Sequence, residues 1–256
     1  MSVRPKKRLG QHFLRDPNTI RKIADAVEAP PGGPVVEIGP GTGALTEVLL
    51  EHYPDLTAVE VDERAVAHLR EHLPGLDVRQ QDVLEADWGA LAAEKGAPLW
   101  VVGNLPYYIT SPILFSLLDA RAHLRRAVLM MQKEVAERLV AAPGSKTYGI
   151  LSVQTQLLSR PRLLFDVSRH VFYPKPDVTS AVVALDFGGA GPGVDVAALR
   201  RVVRSAFNQR RKTIRNSLKA LTNATGRPVP ERWSGARPEA LTPEEFVALT
   251  RALVQA

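Results

Sequence analysis

Between residues 34 and 140, short runs of branched and aliphatic residues alternate with helical stretches. VVEI (35–38) precedes ALTEVLLEHY, LTAVEV (56–61) precedes DERAVAHLREHL, and LDVRQ (76–80) precedes a loop and a short helix. LWVVGN (99–104) precedes SPILFSLLDAR, and AVLMMQ (127–132) precedes KEVAERLVA. Strand runs this apolar suit burial on both faces, and a helix between successive strands returns the chain across the sheet. The alternation predicts an α/β domain with a mostly parallel sheet. SAVVALDF (180–187) follows an irregular stretch with no long helix, so it is expected to join as the one antiparallel strand.

GGAGPGVD (188–195) reads as a flexible linker. Beyond it, VAALRRVVRSAFNQRRKTIRNSLKAL has helical apolar spacing, and Thr242-Pro243-Glu244-Glu245 opens a final helix with a cap, a proline and a glutamate in the right order. Three parts are expected: a basic N-terminal segment (1–33), a sheet domain (34–187) and a small C-terminal helical domain (188–256).

With 256 residues the chain can bury a core without staples, and with no cysteine it has no disulfide, no cysteine-held zinc and no thiol nucleophile. No apolar run reaches the length of a membrane span, and the basic N-terminus lacks the apolar stretch of a signal peptide, so a cytoplasmic protein is expected. The net charge of +6 is unevenly placed. Arg4, Lys6, Lys7, Arg8 and Arg15 crowd the first fifteen residues without an acid, and residues 196–230 carry only basic charges. Such clustering suits a polyanionic partner.

EIGPGTGALT (37–46) follows a buried strand and opens a helix, the setting in which glycines let a ligand approach the backbone. Glu60 ends the next strand, 21 residues after Gly39, where a carboxylate can accept both hydroxyls of a ribose. Dinucleotide sites use G-x-G-x-x-G. Here the pattern is G-x-G-x-G, with Glu37 before it and Pro40 within it, and it resembles the S-adenosylmethionine (AdoMet) site of Rossmann-like methyltransferases. Asp82, in QQDVLEAD, falls after the third strand. A lone acid there also suits a turn or cap, but in register with Gly39 and Glu60 it can accept the adenine amino group, with the Val83 amide facing a ring nitrogen.

The fourth strand ends in NLPYY (104–108), at the edge where open α/β sheets bind ligands. Methylating an exocyclic amine of a base requires acceptors for the amino hydrogens, because the nitrogen lone pair is delocalised into the ring. The Asn104 side-chain oxygen and the Leu105 carbonyl can be those acceptors, Pro106 fixes the backbone that aims them, and Tyr107 offers a stacking face. No metal is called for.

Together, KKRLGQHFLRD, EIGPGTGALT, VEVD, QDVLEAD, GNLPYYI, MQKEVAERL, FYPKPDVTSAVV and AFNQRRKTIRNSL resemble the dimethyladenosine transferases of the KsgA type over essentially the whole chain. The resemblance implies transfer of methyl groups from AdoMet to N6 of two adjacent adenosines, two on each, in the 3′-terminal hairpin loop of small-subunit ribosomal RNA, linked to subunit maturation. It places Gln11, His12 and Leu14 in an N-terminal segment that closes over AdoMet, although the family usually has asparagine where His12 stands. It places Gly39, Gly41, Glu60, Asp82, Val83 and Asn104 around the cofactor, and Phe172, of F-x-P-x-P, opposite Tyr107 across the target adenine. Lys6, Lys7, Arg8, Arg200, Arg201, Arg204, Arg210, Arg211, Lys212 and Arg215 would hold RNA phosphates, the last seven on one basic helix, and Arg125, Arg126 and Lys133 would extend that surface. The expected partner is the small ribosomal subunit or its precursor, bound by a monomer. Two alternatives stay open: a large-subunit adenine methyltransferase of the macrolide-resistance type, and a subunit assembly factor in which methylation is secondary. A dinucleotide oxidoreductase is a distant third.

Overall fold

The computed structural model describes residues 4–6, 9–189 and 191–254; Lys7 and Arg8 lie outside the described residues. The chain divides into two units, one of residues up to 136 with 162–188, the other of 137–161 with 189 onward.

The first unit opens with β1 (Phe13–Leu14) and α1 (Pro17–Ala26), the latter capped by Asp16, whose carboxylate accepts from the Thr19 amide at 2.8 Å. Then strands and helices alternate: β2 (Val35–Ile38), α2 (Ala44–His52), β3 (Thr57–Glu60), α3 (Glu63–His72), β4 (Asp77–Gln80), α4 (Trp88–Glu94), β5 (Leu99–Asn104), α5 (Thr110–Asp119), β6 (Leu124–Gln132) and α6 (Lys133–Leu139). After α7 (Ile150–Leu158), of the second unit, come β7 (Arg160–Val167), β8 (Phe172–Tyr173) and β9 (Ser180–Asp186).

Seven strands form one sheet in the order β4-β3-β2-β5-β6-β9-β7. The first five are parallel, and β9 runs antiparallel to β6, as the spacing predicts. β2 and β3 are buried along their whole length, Glu37, Thr57 and Glu60 included. The edge strand β7 was not legible. RPRLLFDV has no alternation, and most of its side chains stay exposed or half-buried. A second, two-stranded sheet pairs β1 with β8, Phe13 opposite Tyr173 and Leu14 opposite Phe172.

The second unit has its own core, in which Tyr148, Val153, Leu199, Val202, Ile214, Leu218, Trp233 and Phe246 pack together. Residues 137–161, expected within the sheet domain, pack with these helices instead, since Tyr148 and Val153 are fully buried there. The single helix expected from Val196 is three: α8 (Val196–Asn208), α9 (Ile214–Ser217) and α10 (Lys219–Thr225). Three consecutive cations, Arg210, Arg211 and Lys212, fall in the break, where Gln209 leaves helical geometry. After α11 (Glu231–Ser234), the predicted capping box opens α12 (Pro243–Val254): Glu245 accepts from the Thr242 amide at 2.8 Å and Thr242 accepts from the Glu245 amide at 3.2 Å.

Two residues at the centre of the large sheet give measurable consequences. A Cβ on Gly103 of β5 would stand 2.8 Å from the Ile38 carbonyl oxygen of β2. Gly103→Ala is therefore expected to cost about 1–3 kcal/mol by forcing two buried strands apart; an unchanged urea midpoint would show that the strands yield freely. Glu37, 2 % exposed, is pushed up to about 8 by burial, opposed by a 2.7 Å hydrogen bond from Thr46 and reinforced by the nearby Glu60 carboxylate. A raised folded-state value means that its contribution is complete below about 4.5, where an unfolded carboxyl titrates, and is lost as pH rises through about 8. Stability should thus fall across that window in the native protein. Glu37→Gln should flatten the decline in a series of denaturant midpoints against pH.

Candidate active site

The parallel order β4-β3-β2-β5 sets the carboxyl ends of these strands side by side. A cleft opens there with about 760 Å³ of non-protein space, part of it continuous with solvent. That size suits a ligand as large as a nucleoside with a side chain. Gln11, His12, Gly39, Gly41, Glu60, Asp82, Val83, Asn104, Leu105, Pro106 and Tyr107 all line it, as do Phe13 and Tyr108. One cavity thus gathers residues spread from Leu9 to Ile113.

The glycine turn forms one wall. Gly39 and Gly41 have φ of 65° and 59°, left-handed values that favour glycine. A Cβ on Gly39 would meet nothing within 4 Å, so the turn faces open space. A Cβ on Gly41 would stand 2.8 Å from the Phe13 ring, so here the N-terminal segment closes directly on the turn. Glu60 holds the turn from the other side: one carboxylate oxygen accepts from the Gly41 amide at 3.1 Å and the other from the Asp62 amide at 2.8 Å. Burial raises the Glu60 carboxyl above its ordinary value, and these amides oppose the shift. Each carboxylate oxygen keeps a further lone pair, so the group can still accept hydroxyls from the cleft. Asp82 accepts from the Leu84 amide at 2.9 Å and so caps a short turn while lining the cleft.

Asn104 donates its side-chain Nδ2 to the His12 carbonyl at 2.9 Å. A carbonyl can only accept, so this bond fixes the amide orientation and leaves Oδ1 as an acceptor. Leu105 is anchored by its amide to the Met130 carbonyl at 2.9 Å, and Pro106 follows with φ of −60°. The Tyr107 hydroxyl and the Ser180 hydroxyl share a hydrogen bond of 2.7 Å, which ties the ring to β9. Against the Tyr107 ring lies the His12 imidazole, with centroids 5.5 Å apart and planes tilted by 27°. Its Nδ1 donates to the Pro174 carbonyl at 2.7 Å. The His12 side chain is thus turned toward Tyr107 and the segment after β8, while its backbone carbonyl serves Asn104.

Three residues beyond the expected set organise the cleft. Asp62 draws in the N-terminal segment: Lys6 Nζ and Gln11 Nε2 both reach it at 3.3 Å, and Arg64 Nη2 pairs with it at 2.5 Å. These partners, Arg64 foremost, hold its carboxyl far below the usual carboxylate range. Asp62 follows Glu60 by two residues but carries only the signal of a helix cap. Phe13 and Ser180 have no sequence signal at all, since their partners are distant in the chain.

Several expected residues lie elsewhere. Phe172 is 5 % exposed and belongs to the core of the large unit, so it is not on the cleft wall; pairing with Leu14 in the small sheet turns it inward. Leu14 is likewise a core side chain, outside that cleft. Lys6 is committed to Asp62, and Arg126, buried, pairs with Glu28 and Asp186. In the helical unit Arg210 donates to the Ser145 and Lys146 carbonyls, Arg215 pairs with Glu231, and Arg200 donates to Gln154. Arg201, Arg204, Arg211 and Lys212 are exposed, the first two on α8 and the others in the break after it.

The family described as "Ribosomal RNA adenine dimethylase" matches residues 3–232. The chain is 57 % identical over 252 residues to the "Ribosomal RNA small subunit methyltransferase A" of Salinibacter ruber, covering 98 % of this chain and 85 % of that protein. It is 45 % identical to the protein of the same name from Aromatoleum aromaticum, covering 96 % of this chain and 93 % of that one. Among solved structures, a dimethyladenosine transferase from Plasmodium falciparum superposes with a TM-score of 0.77 at 26 % identity, over 93 % of this chain and 96 % of that one. The 23S rRNA methyltransferase ErmE superposes with a TM-score of 0.70 at 31 % identity, over 94 % and 99 %. A cleft of this construction in a chain matched over nearly its whole length leads to one conclusion: the protein belongs to the ribosomal RNA adenine dimethylase family.

Proposed function

We propose that this protein transfers methyl groups from AdoMet to N6 of two adjacent adenosines, dimethylating each, in the 3′-terminal hairpin loop of small-subunit ribosomal RNA. The observation that carries the reading is the Asn104 amide, locked with its oxygen as the acceptor in the cleft that also holds Glu60 and Asp82. The relatives at 57 % and 45 % identity bear the small-subunit name, against 31 % for ErmE, and this favours the small subunit as substrate. The part played in small-subunit maturation goes with that substrate.

The residues fit the cofactor. The open face of Gly39 leaves room for close backbone approach, Glu60 offers acceptors for a ribose, and Asp82 with the Val83 amide offers an acceptor and a donor for an adenine edge. When bound, AdoMet supplies a methyl group on a sulfonium, which departs as a neutral thioether once a nitrogen takes the methyl. The protein's own work is positioning. Asn104 Oδ1 and the Leu105 carbonyl accept the two amino hydrogens and bring the N6 lone pair out of conjugation. Tyr107, braced by Ser180, carries the base on its ring face. After transfer the nitrogen is cationic and loses a proton to water, so no strong base is required. An adenine inside a duplex cannot present N6 in this way, whereas a loop base can be splayed into the cleft. Arg201, Arg211 and Lys212 are among the exposed cations that RNA phosphates can reach.

The experiment is transfer of labelled methyl to undermethylated small and large ribosomal subunits, with the modified bases mapped. Label on two adjacent adenosines of the small-subunit 3′ hairpin is expected. Label on the large subunit instead would move the substrate to that of the ErmE type. Asn104→Ala is expected to lower kcat by about 100-fold or more, with AdoMet binding retained within a few-fold. If this inactive variant fully restored subunit assembly in cells lacking the native protein, assembly would be the main role. Glu60→Ala is expected to weaken AdoMet by about tenfold or more in calorimetry, and an unchanged affinity would remove Glu60 from the ribose site.

A further inference from the structure

Beside the cleft runs a separate open groove. Its walls include Arg4, Arg15, His68, Tyr173, Lys175 and Asp177, and it shares Gly10–Phe13 with the cleft. Two arginines and a lysine thus face one acid among the described residues. Among the described residues two aromatic side chains are strongly exposed: Tyr108, 57 % exposed, lines the cleft, and Tyr173, 51 % exposed, lines the groove. The Arg15 guanidinium lies over the Tyr173 ring, 4.1 Å from its centroid.

Stability does not account for this pair. An exposed cation–π contact is worth about 0.5–1 kcal/mol, and a tyrosine placed for packing is buried, as Tyr148 is. Phe172, one residue earlier, supplies the apolar anchor of the two-stranded sheet and leaves Tyr173 pointing outward beside it. An exposed ring with a guanidinium laid over one face, in a basic groove, offers its uncovered side and the guanidinium plane to a base of single-stranded RNA while the phosphate meets the cations.

The placement says which base. His12 stacks on Tyr107 and donates to the carbonyl of Pro174, the residue that follows Tyr173. One ring and one hydrogen bond therefore link the Tyr107 face to the Tyr173 platform, and among the described residues Gly10–Phe13 line both cleft and groove. We infer that Tyr173 and Arg15 form a second base subsite, which stacks the purine next to the target adenosine while the target occupies the cleft. This rests on the proposed action on two adjacent adenosines. Such a subsite holds the neighbour close by, so that after one base is methylated the strand advances by a nucleotide without leaving.

The test uses the full-length protein, an RNA hairpin with two adjacent loop adenosines, and a second hairpin with 2-aminopurine beside one target. With the native protein the 2-aminopurine fluorescence should be quenched on binding. Tyr173→Ala should abolish that quenching, raise KM for RNA about tenfold and leave the Kd for AdoMet unchanged, while Tyr173→Trp restores both RNA readouts. In the variant the second adenosine should lag the first, so that singly modified RNA accumulates. Arg15→Ala should flatten the salt dependence of RNA binding by about one ion. Native-like KM and quenching in Tyr173→Ala would overturn the subsite while leaving the active-site reading intact. If the native protein transfers no methyl group to any RNA, the active-site reading fails first. The fluorescence then decides the subsite: quenching lost in Tyr173→Ala supports it, and quenching absent from the native protein overturns it.

Discussion

The approach of β5 to β2 at Gly103 and Ile38 underlies the rest of the site. A methyl group would not fit between the Gly103 α-carbon and the Ile38 carbonyl, 2.8 Å from where a Cβ would sit. Parallel pairing then carries both strands to the same edge in register, Ile38 opposite Gly103. The next residues are Gly39, which begins the glycine turn, and Asn104, which begins NLPYY. Any ligand group laid on the turn is thereby beside the Asn104 side chain. On the other side β3 pairs with β2 and ends at Glu60, so three strand ends supply three walls of one cleft.

A second set of bonds closes the cleft from the N-terminal side. Asp62 gathers Lys6, Gln11 and Arg64; Phe13 presses on Gly41; the His12 carbonyl orients Asn104; and β1 pairs with β8. The same short segment thus covers the glycine turn, sets the polarity of the Asn104 amide and separates cleft from groove. Positive charge near the N-terminus serves two ends as a result. Lys6 is spent on holding the segment, while Arg4 and Arg15 remain on the groove.

Much of the large sheet was legible because buried parallel strands have an unambiguous composition. VVEI and LWVVGN can hardly be anything else between helical stretches, and the cap before α12 was readable from four residues. The small sheet was not legible. Two-residue strands such as Phe13–Leu14 have no periodicity, and pairing between residues 13 and 173 is a long-range event. Phe172 shows the cost: the motif F-x-P-x-P names an aromatic, but the pairing register turns that ring into the core and its neighbour Tyr173 outward. The basic run after Val196 shows another. Apolar spacing continues through the break at residues 209–213, so periodicity reads one helix where there are three.

The sequence by itself determined the α/β class, the strand ends that meet at one cleft and the kind of ligand whose site their motifs resemble. These follow from local rules: side-chain period, glycine at left-handed positions and carboxylates at fixed offsets. Only the tertiary structure decided which ring faces which. His12 against Tyr107, Ser180 beneath the Tyr107 hydroxyl, Asp62 under the N-terminal segment and Tyr173 beside Arg15 each join residues from separate elements. Their contacts depend on register and packing across the fold, and no local pattern in the chain encodes a distance between parts that meet only when it folds.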